Sequence, residues 1–396
     1  MNKAIYICAS MALMLASCSS DETLELAKEK GISFRGVVGL NTRAQNTGTT
    51  ELLDGKALYV TTFKPGDDGD LLYEETEYTY DGSVWVATPE QSWGGNDKLN
   101  FFLTYPKLDE WENGAKLTKD NKTVTVTVDG DITKQKDYVA AYLEDAAKTQ
   151  QGAAVNANLQ HVLSSVEIWA KNGNKAFQYK VKGIRICGAN SIGDINFAGQ
   201  FACSNTNTPK NYELTYANAI TLDGDAKSIM GPKLNDTNKS ENAILIPQTT
   251  TEWNGGDISA DNVTPVTGSY ISVLINLTAT AGAVIYPAGS TADQETYGWV
   301  SVPVAFNWTG GNKYVYTLDF SDGAGKVDPV NPGDAVDPGG KDPNKAEPIL
   351  GGLIKFGLTV TQWNQDRNDV DLKDDSKFSA TVDGWEDETT DDTILK

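Results

Sequence analysis

The strongest constraint on this 396-residue chain is a period of two. Thr123-Val124-Thr125-Val126-Thr127-Val128 sets valine on one face and threonine on the other, and Asp129-Gly130 ends the run with turn chemistry. Val162 to Ala170, Phe177 to Ile186, Tyr270 to Leu277, Trp299 to Phe306 and Lys313 to Phe320 are built alike, with β-branched and aromatic residues interrupted by Gly, Asn, Asp and Pro. Such alternation buries one face of a short strand and wets the other. The expected class is therefore all-β. Helical spacing is confined to Thr23 to Lys30, which fits a short helix, and Tyr138 to Gln150, which fits a turn or two.

The chain is longer than one sandwich usually occupies, so two tandem β-domains are expected. Their junction is placed near Lys171 to Gln178, where Asn172-Gly173-Asn174 breaks the strand pattern. From Asp322 to Pro348 the sequence turns to Gly, Pro, Asp and Lys, a composition that cannot bury a core and reads as a linker.

At the start, Lys3 precedes an apolar run from Ala4 to Ala16, shorter than the ~20 residues that a spanning helix needs, so it reads as a signal peptide. Leu15-Ala16-Ser17-Cys18 resembles the bacterial lipobox, which implies cleavage before Cys18 and a lipid on its sulfur. An ordinary signal peptide with an incidental Cys18 is the alternative. Ser19-Ser20-Asp21-Glu22 resembles the acidic tag that sends Bacteroidetes lipoproteins to the outer face of the outer membrane, or is a solvated tether.

The formal charge of −21 repels nucleic acid and anionic lipid surfaces, and no nucleic-acid partner is expected. With Cys8 in the signal and Cys18 acylated, Cys187 and Cys203 remain, too few for a Cys-rich metal site. They form one disulfide in an oxidising envelope, or stay as two buried thiols. A single histidine, His161, rules out a His-rich metal cluster and leaves one residue for any Ser-His-Asp arrangement. Its neighbours Leu159, Val162 and Leu163 point to a hydrogen-bonded structural role. No cofactor, metal or catalytic residue is expected.

Beyond the linker, Leu353 to Trp363 alternates and places Ile354, Phe356, Leu358 and Val360 on one face. Val360-Thr361-Gln362-Trp363 and Val382-Asp383-Gly384-Trp385 both read Val-x-x-Trp. Near the start, Ile32, Phe34, Val38 and Leu40 share a face, and Ile32-Ser33-Phe34 repeats the Ile-x-Phe of the tail. Two strands with one apolar signature can fill one groove in turn; alternatively the tail returns to pair within its own domain. Asn41 to Gly48, a polar segment, carries Arg43, a site suited to an Arg-specific protease.

Taken in order, Cys18, Thr42-Arg43-Ala44, His161 to Ile168, Ile244-Leu245-Ile246-Pro247-Gln248 and Trp308 to Phe320 resemble the Bacteroidetes fimbrillin family of type V pilus subunits. The resemblance runs from Cys18 to about Asp328, and the last block is the most specific. It implies two transthyretin-like β-sandwich domains and export as a cell-surface lipoprotein. It further implies removal of the first strand by a trypsin-like or Arg-specific protease, at Arg43 or less suitably at Arg35. A strand from another pilin subunit then fills the opened groove. Ile32, Phe34, Val38 and Leu40 would be displaced; Ile354, Phe356, Leu358 and Val360 would be donated. The expected organisation is signal peptide 1–17, lipidated segment with the removable strand 18–44, domains 45–175 and 176–325, linker 326–348 and donor strands 349–396. The linker and tail extend past the family pattern; they leave open whether the first or the second tail strand is the donor or both form a further small unit, and so whether the role is stalk, anchor or tip.

Two other functions compete. A monomeric surface lipoprotein could hold glycans by stacking on Trp85, Trp93, Trp111, Trp253 and Trp299, although such residues are ordinarily core. A hydrolase would need paired carboxylates, and Asp67, Asp68 and Asp70 around Gly69 read better as a polar turn than as a Ca²⁺ site.

Overall fold

The computed structural model describes residues 31–38, 57–66, 70–112, 114–118, 121–148, 152–231, 242–253, 267–288, 290–291, 294–328 and 348–363, with backbone alone for 36–38. Apart from short 3-10 turns, every regular element among them is a strand. The first half supplies β1 (Ser33–Val38), β2 (Leu58–Phe63), β3 (Leu71–Tyr80), β4 (Trp85–Ala87), β5 (Lys98–Tyr105), β6 (Thr123–Thr127), β7 (Val139–Ala147) and β8 (Val155–His161). All but β6 form a closed barrel in the order β1-β4-β3-β2-β5-β7-β8. Its interior is filled by Phe34, Leu58, Val60, Tyr78, Trp85, Phe101, Leu103 and Leu159.

After β8 come β9 (Ser164–Lys171), β10 (Phe177–Asn190), β11 (Ile192–Asn196), β12 (Ala202–Asn205), β13 (Pro209–Thr221), β14 (Lys227–Met230), β15 (Ala243–Leu245) and β16 (Gln248–Thr249). They are followed by β17 (Tyr270–Ala279), β18 (Val284–Tyr286), β19 (Gly298–Pro303), β20 (Asn307–Trp308), β21 (Asn312–Asp319), β22 (Lys326–Val327) and β23 (Lys355–Gln362). One sheet runs β13-β10-β17-β19-β22 and another β14-β9-β21-β23, with β15 beside β9. Val166 and Ile168 of β9, Tyr314, Tyr316 and Leu318 of β21, and Tyr179, Val181, Ile271 and Val273 of β10 and β17 share one core.

Alternation reads directly into burial where one face is wet. In β6, Val124 and Val126 are buried while the threonines are not. Pairing partners differ from the linear expectation. Although it precedes β7, β6 pairs with β11 in the sheet β12-β11-β6, and β9 pairs with β14, β15 and β21. The chain changes sheets at Val162-Leu163, between β8 of the barrel and β9, and again across Asn172-Gly173-Asn174, between β9 and β10. Asn172 holds the second of these turns, its side chain donating to the carbonyls of Asn174 and Phe177.

Tyr138 to Gln150 corrects the helical reading. Val139–Ala147 is β7, paired with β5 and β8, with Val139, Ala140 and Ala141 buried in succession. Barrel packing overrides the weak helical preference of this Ala- and acid-rich stretch.

Candidate functional site

β1 is the strand that closes the barrel. It runs parallel to β8, from Phe34 opposite Val155 to Val38 opposite Leu159, and antiparallel to β4 at Ser33–Val86 and Phe34–Trp85. The backbone N–H of Ile32 donates to Gln91 at 2.7 Å. Phe34 is 0 % exposed and meets Tyr78 and Phe101 edge-on, each at 5.1 Å between centroids. Ile32 is buried as well. Removing β1 would strip two neighbours of their main-chain partners and uncover two large side chains, each worth about 1.5–3 kcal/mol of burial. Arg35 lies on β1 with its side chain exposed. Cys18, Leu40 and Arg43 lie outside the described residues, and for Val38 the backbone alone is described.

The tail strand β23 is docked on its own chain, the second of the two readings of the tail. It pairs antiparallel with β21 from Lys355–Asp319 to Gln362–Asn312. Its opposite edge has no partner among the described residues. The return to the sheet is prepared at Lys326–Pro348, a β-bridge, and by the N–H of Ile349 donating to Gly325. Gly325, at φ +75°, leaves room for Ile354: a Cβ there would lie 2.8 Å from the isoleucine Cδ1. Ile354 is buried, Phe356 and Leu358 are half-buried against the core, and Val360 is 49 % exposed. The four apolar residues therefore do not fill one groove evenly. Burial falls from Ile354 to Val360, as on an edge strand held mainly by its ends.

The second end is held by Trp363, 3 % exposed, whose indole stacks on His161 with centroids 3.8 Å apart and planes 6° from parallel. Its backbone N–H donates to Gly311 O at 2.8 Å. His161 Nδ1 lies 2.8 Å from Asp137 Oδ2, and Nε2 is buried without a partner. A cavity of about 300 Å³ opens here between Gln160, Gly310, Asn312, Gln362 and the two stacked rings. Gly310 is dictated by packing, since a Cβ would meet Val162 O at 2.7 Å.

Three sequence blocks that lie far apart in the chain meet around this seat. Ser164 Oγ donates to Thr309 O, Leu245 pairs with Ser164, and β21 runs parallel to β9. Across β9 and β21, Lys313 Nζ and Glu167 Oε2 form a buried ion pair at 2.7 Å, and Trp169 Nε1 donates to Glu167 at 2.7 Å. Sequence reasoning missed Asp137 and the glycines at 310, 311 and 325; only the Gly-Gly inside the Trp308–Phe320 block carried a signal.

Cys187 and Cys203 are free thiols, Cys187 buried and Cys203 half-buried. Cys187 packs with Trp253 and Tyr270, whereas Cys203 faces Gly193 and Asn205 on the small sheet. Burial pushes the Cys203 thiol up to about 11, with Asp194 adding to it, and burial likewise raises the Cys187 thiol well above its ordinary value. Trp85, Trp93, Trp111, Trp253 and Trp299 are all buried, which withdraws the surface that glycan stacking would use. Asp70 pairs with Lys64 at 3.3 Å; Asp67 and Asp68 lie outside the described residues. Among the described residues no group of three or more His, Cys, Asp or Glu is placed to hold a metal.

The profile of the fimbrillin-like family matches residues 42–333, most of the chain. The chain belongs to the fimbrillin-like family. Among solved structures, it is similar to a candidate cell adhesion protein from Parabacteroides distasonis at 11 % identity, covering 85 % of this chain and 97 % of that one, with a TM-score of 0.48. A candidate cell adhesion protein from Bacteroides uniformis matches at 13 % identity over 85 % and 100 % of the two chains, TM-score 0.38. The tip fimbrial protein Mfa3 from Porphyromonas gingivalis, with a C-terminal truncation, matches at 13 % identity over 78 % and 94 %, TM-score 0.34. No curated protein matches the chain.

Proposed function

We propose that this protein is a fimbrial subunit or adhesin-like surface lipoprotein, held to the outer membrane by a lipid on Cys18. It assembles with other pilin subunits after a trypsin-like or Arg-specific protease cuts at Arg43. The observation that carries this reading is the position of β1: a terminal strand that closes a barrel on both edges and supplies Ile32 and Phe34 to its core. Once cut loose, it leaves a gap shaped for an alternating strand. Strand addition supplies main-chain hydrogen bonds for affinity and side-chain pockets for specificity. The tail strand offers Ile354, Phe356, Leu358 and Val360 from an edge whose other side is unpaired among the described residues. Exchange of one apolar strand for another conserves burial of roughly 1.5–3 kcal/mol per large side chain. The role is structural, carried by assembly, with no chemistry assigned to any residue.

The test is limited trypsin digestion of the chain from Ser19 onward, with N-terminal sequencing and unheated SDS gels. A single cut after Arg43 followed by SDS-stable ladders, absent when residues 353–396 are deleted, supports the proposal. A cut chain that stays monomeric with its tail intact overturns it.

A further inference from the structure

The tail strand has a second edition. Lys355-Phe356-Gly357-Leu358-Thr359-Val360-Thr361-Gln362-Trp363 recurs as Lys377-Phe378-Ser379-Ala380-Thr381-Val382-Asp383-Gly384-Trp385, with Lys, Phe, Thr, Val and Trp at identical spacing. Three of the repeated residues touch the seat of the first edition, and one of them, Trp363, is its buried C-terminal anchor. Lys355 Nζ lies 2.7 Å from Asp322 Oδ2. Phe356 tilts against Tyr316 with centroids 6.4 Å apart, and Trp363 covers His161. Thr and Val between them keep the strand preference. We propose that the seat on β21 is exchangeable, and that Lys377–Trp385 of the same chain is its alternative occupant.

The differences between the two editions set their order. Ile354, buried beside Gly325, corresponds to Ser376, and half-buried Leu358 corresponds to Ala380. The second edition brings less apolar surface to the same seat, so Lys355–Trp363 holds it at rest. The connection permits the exchange. With Lys377 beside Asp322, residues 353–376 bulge out as a loop tethered at both ends, and closure entropy rises only slowly with loop length. In that state Trp385 would take the place of Trp363 over His161 and the flank of β21 would stay paired, so only the surface under Ile354 and Leu358, matched by Ser376 and Ala380, would lose cover. This use of the exchange rests on the strand-donation reading above. The exchange itself is a property of one uncut chain.

The test is an engineered disulfide in the full, uncut chain. Thr317 stands opposite Gly357 across β21 and β23, and Gly357 corresponds to Ser379. Thr317→Cys with Gly357→Cys reports the first edition; Thr317→Cys with Ser379→Cys reports the second, both read by peptide mass spectrometry. Weakening the first edition by Trp363→Ala should raise the yield of the disulfide between positions 317 and 379 at least tenfold, within single chains. Hydrogen exchange is the second readout: β21 amides should stay protected in Trp363→Ala and lose protection in Trp363→Ala/Trp385→Ala. Failure of the second-edition disulfide to rise, or identical β21 protection with and without Trp385, overturns the proposal. Both readouts are taken on the monomer, so a failure of cut chains to polymerise leaves them unchanged.

Discussion

Trp363 lies flat on His161, centroid to centroid at 3.8 Å, and so ties the last described residue of the tail to the last residue of β8 in the barrel. The imidazole is itself held by Asp137 through Nδ1. Because β23 is buried most firmly at its two ends, loss of the indole should free the strand without unfolding the barrel. Trp363→Ala is expected to lower the local opening energy of β23 by about 3 kcal/mol, at the low end for a buried aromatic. Amides of Lys355–Gln362 should then exchange roughly a hundredfold faster, while those of β5 and β7 keep their rates, as hydrogen-exchange mass spectrometry would show.

Phe34→Ala tests the other strand. The ring sits between Tyr78 and Phe101 inside the barrel, and truncating it is expected to cost roughly 3–5 kcal/mol by urea unfolding. Arg35→Ala, on the exposed side of the same strand, should change stability by less than about 0.5 kcal/mol. Equal effects would contradict the burial assigned to β1.

The ion pair of Lys313 with Glu167 predicts an asymmetry. Lys313→Ala leaves a buried carboxylate without its cation and is expected to cost about 3–5 kcal/mol. Lys313→Met combined with Glu167→Gln removes both charges, keeps an acceptor for Trp169, and should recover most of that loss. Chemical denaturation of the two variants decides it.

Cys203 gives a pH dependence. Burial raises its thiol to about 11 in the folded chain from an ordinary 9, with a smaller contribution from Asp194. The folded state therefore binds this proton more tightly than the unfolded one. Its stabilising contribution is complete below about pH 9 and falls away as pH rises from there toward about 11. At about pH 8, below both values, the native thiols should resist iodoacetamide, and in denaturant both Cys187 and Cys203 should be alkylated. A disulfide between them in denaturant would contradict the structure.

Legibility followed the reach of each interaction. The alternating runs at Thr123 and Lys313 became β6 and β21 because period-two burial is a local property. Partner choice was not legible: nothing near Thr123 announces that β6 will join β11, and nothing in Lys355–Gln362 says which sheet it edges. β7 was hidden because Ala and acidic residues carry little strand signal until β5 and β8 flank them. At the seat, the apolar neighbours of His161 revealed its burial. Asp137 and Trp363, its two partners, are contributed by distant segments that only the fold brings together.

The most direct test of the central claim replaces Phe356 by p-benzoylphenylalanine and maps its photo-crosslinks before and after cleavage at Arg43. In the uncut monomer the crosslink should fall on β21, where Leu318 faces residue 356. After cleavage, the account predicts a crosslink to Trp85–Ala87 or Val155–His161 of a second copy, the strands that β1 leaves exposed. A crosslink that stays on β21 of the same chain after cleavage would contradict strand exchange at the barrel.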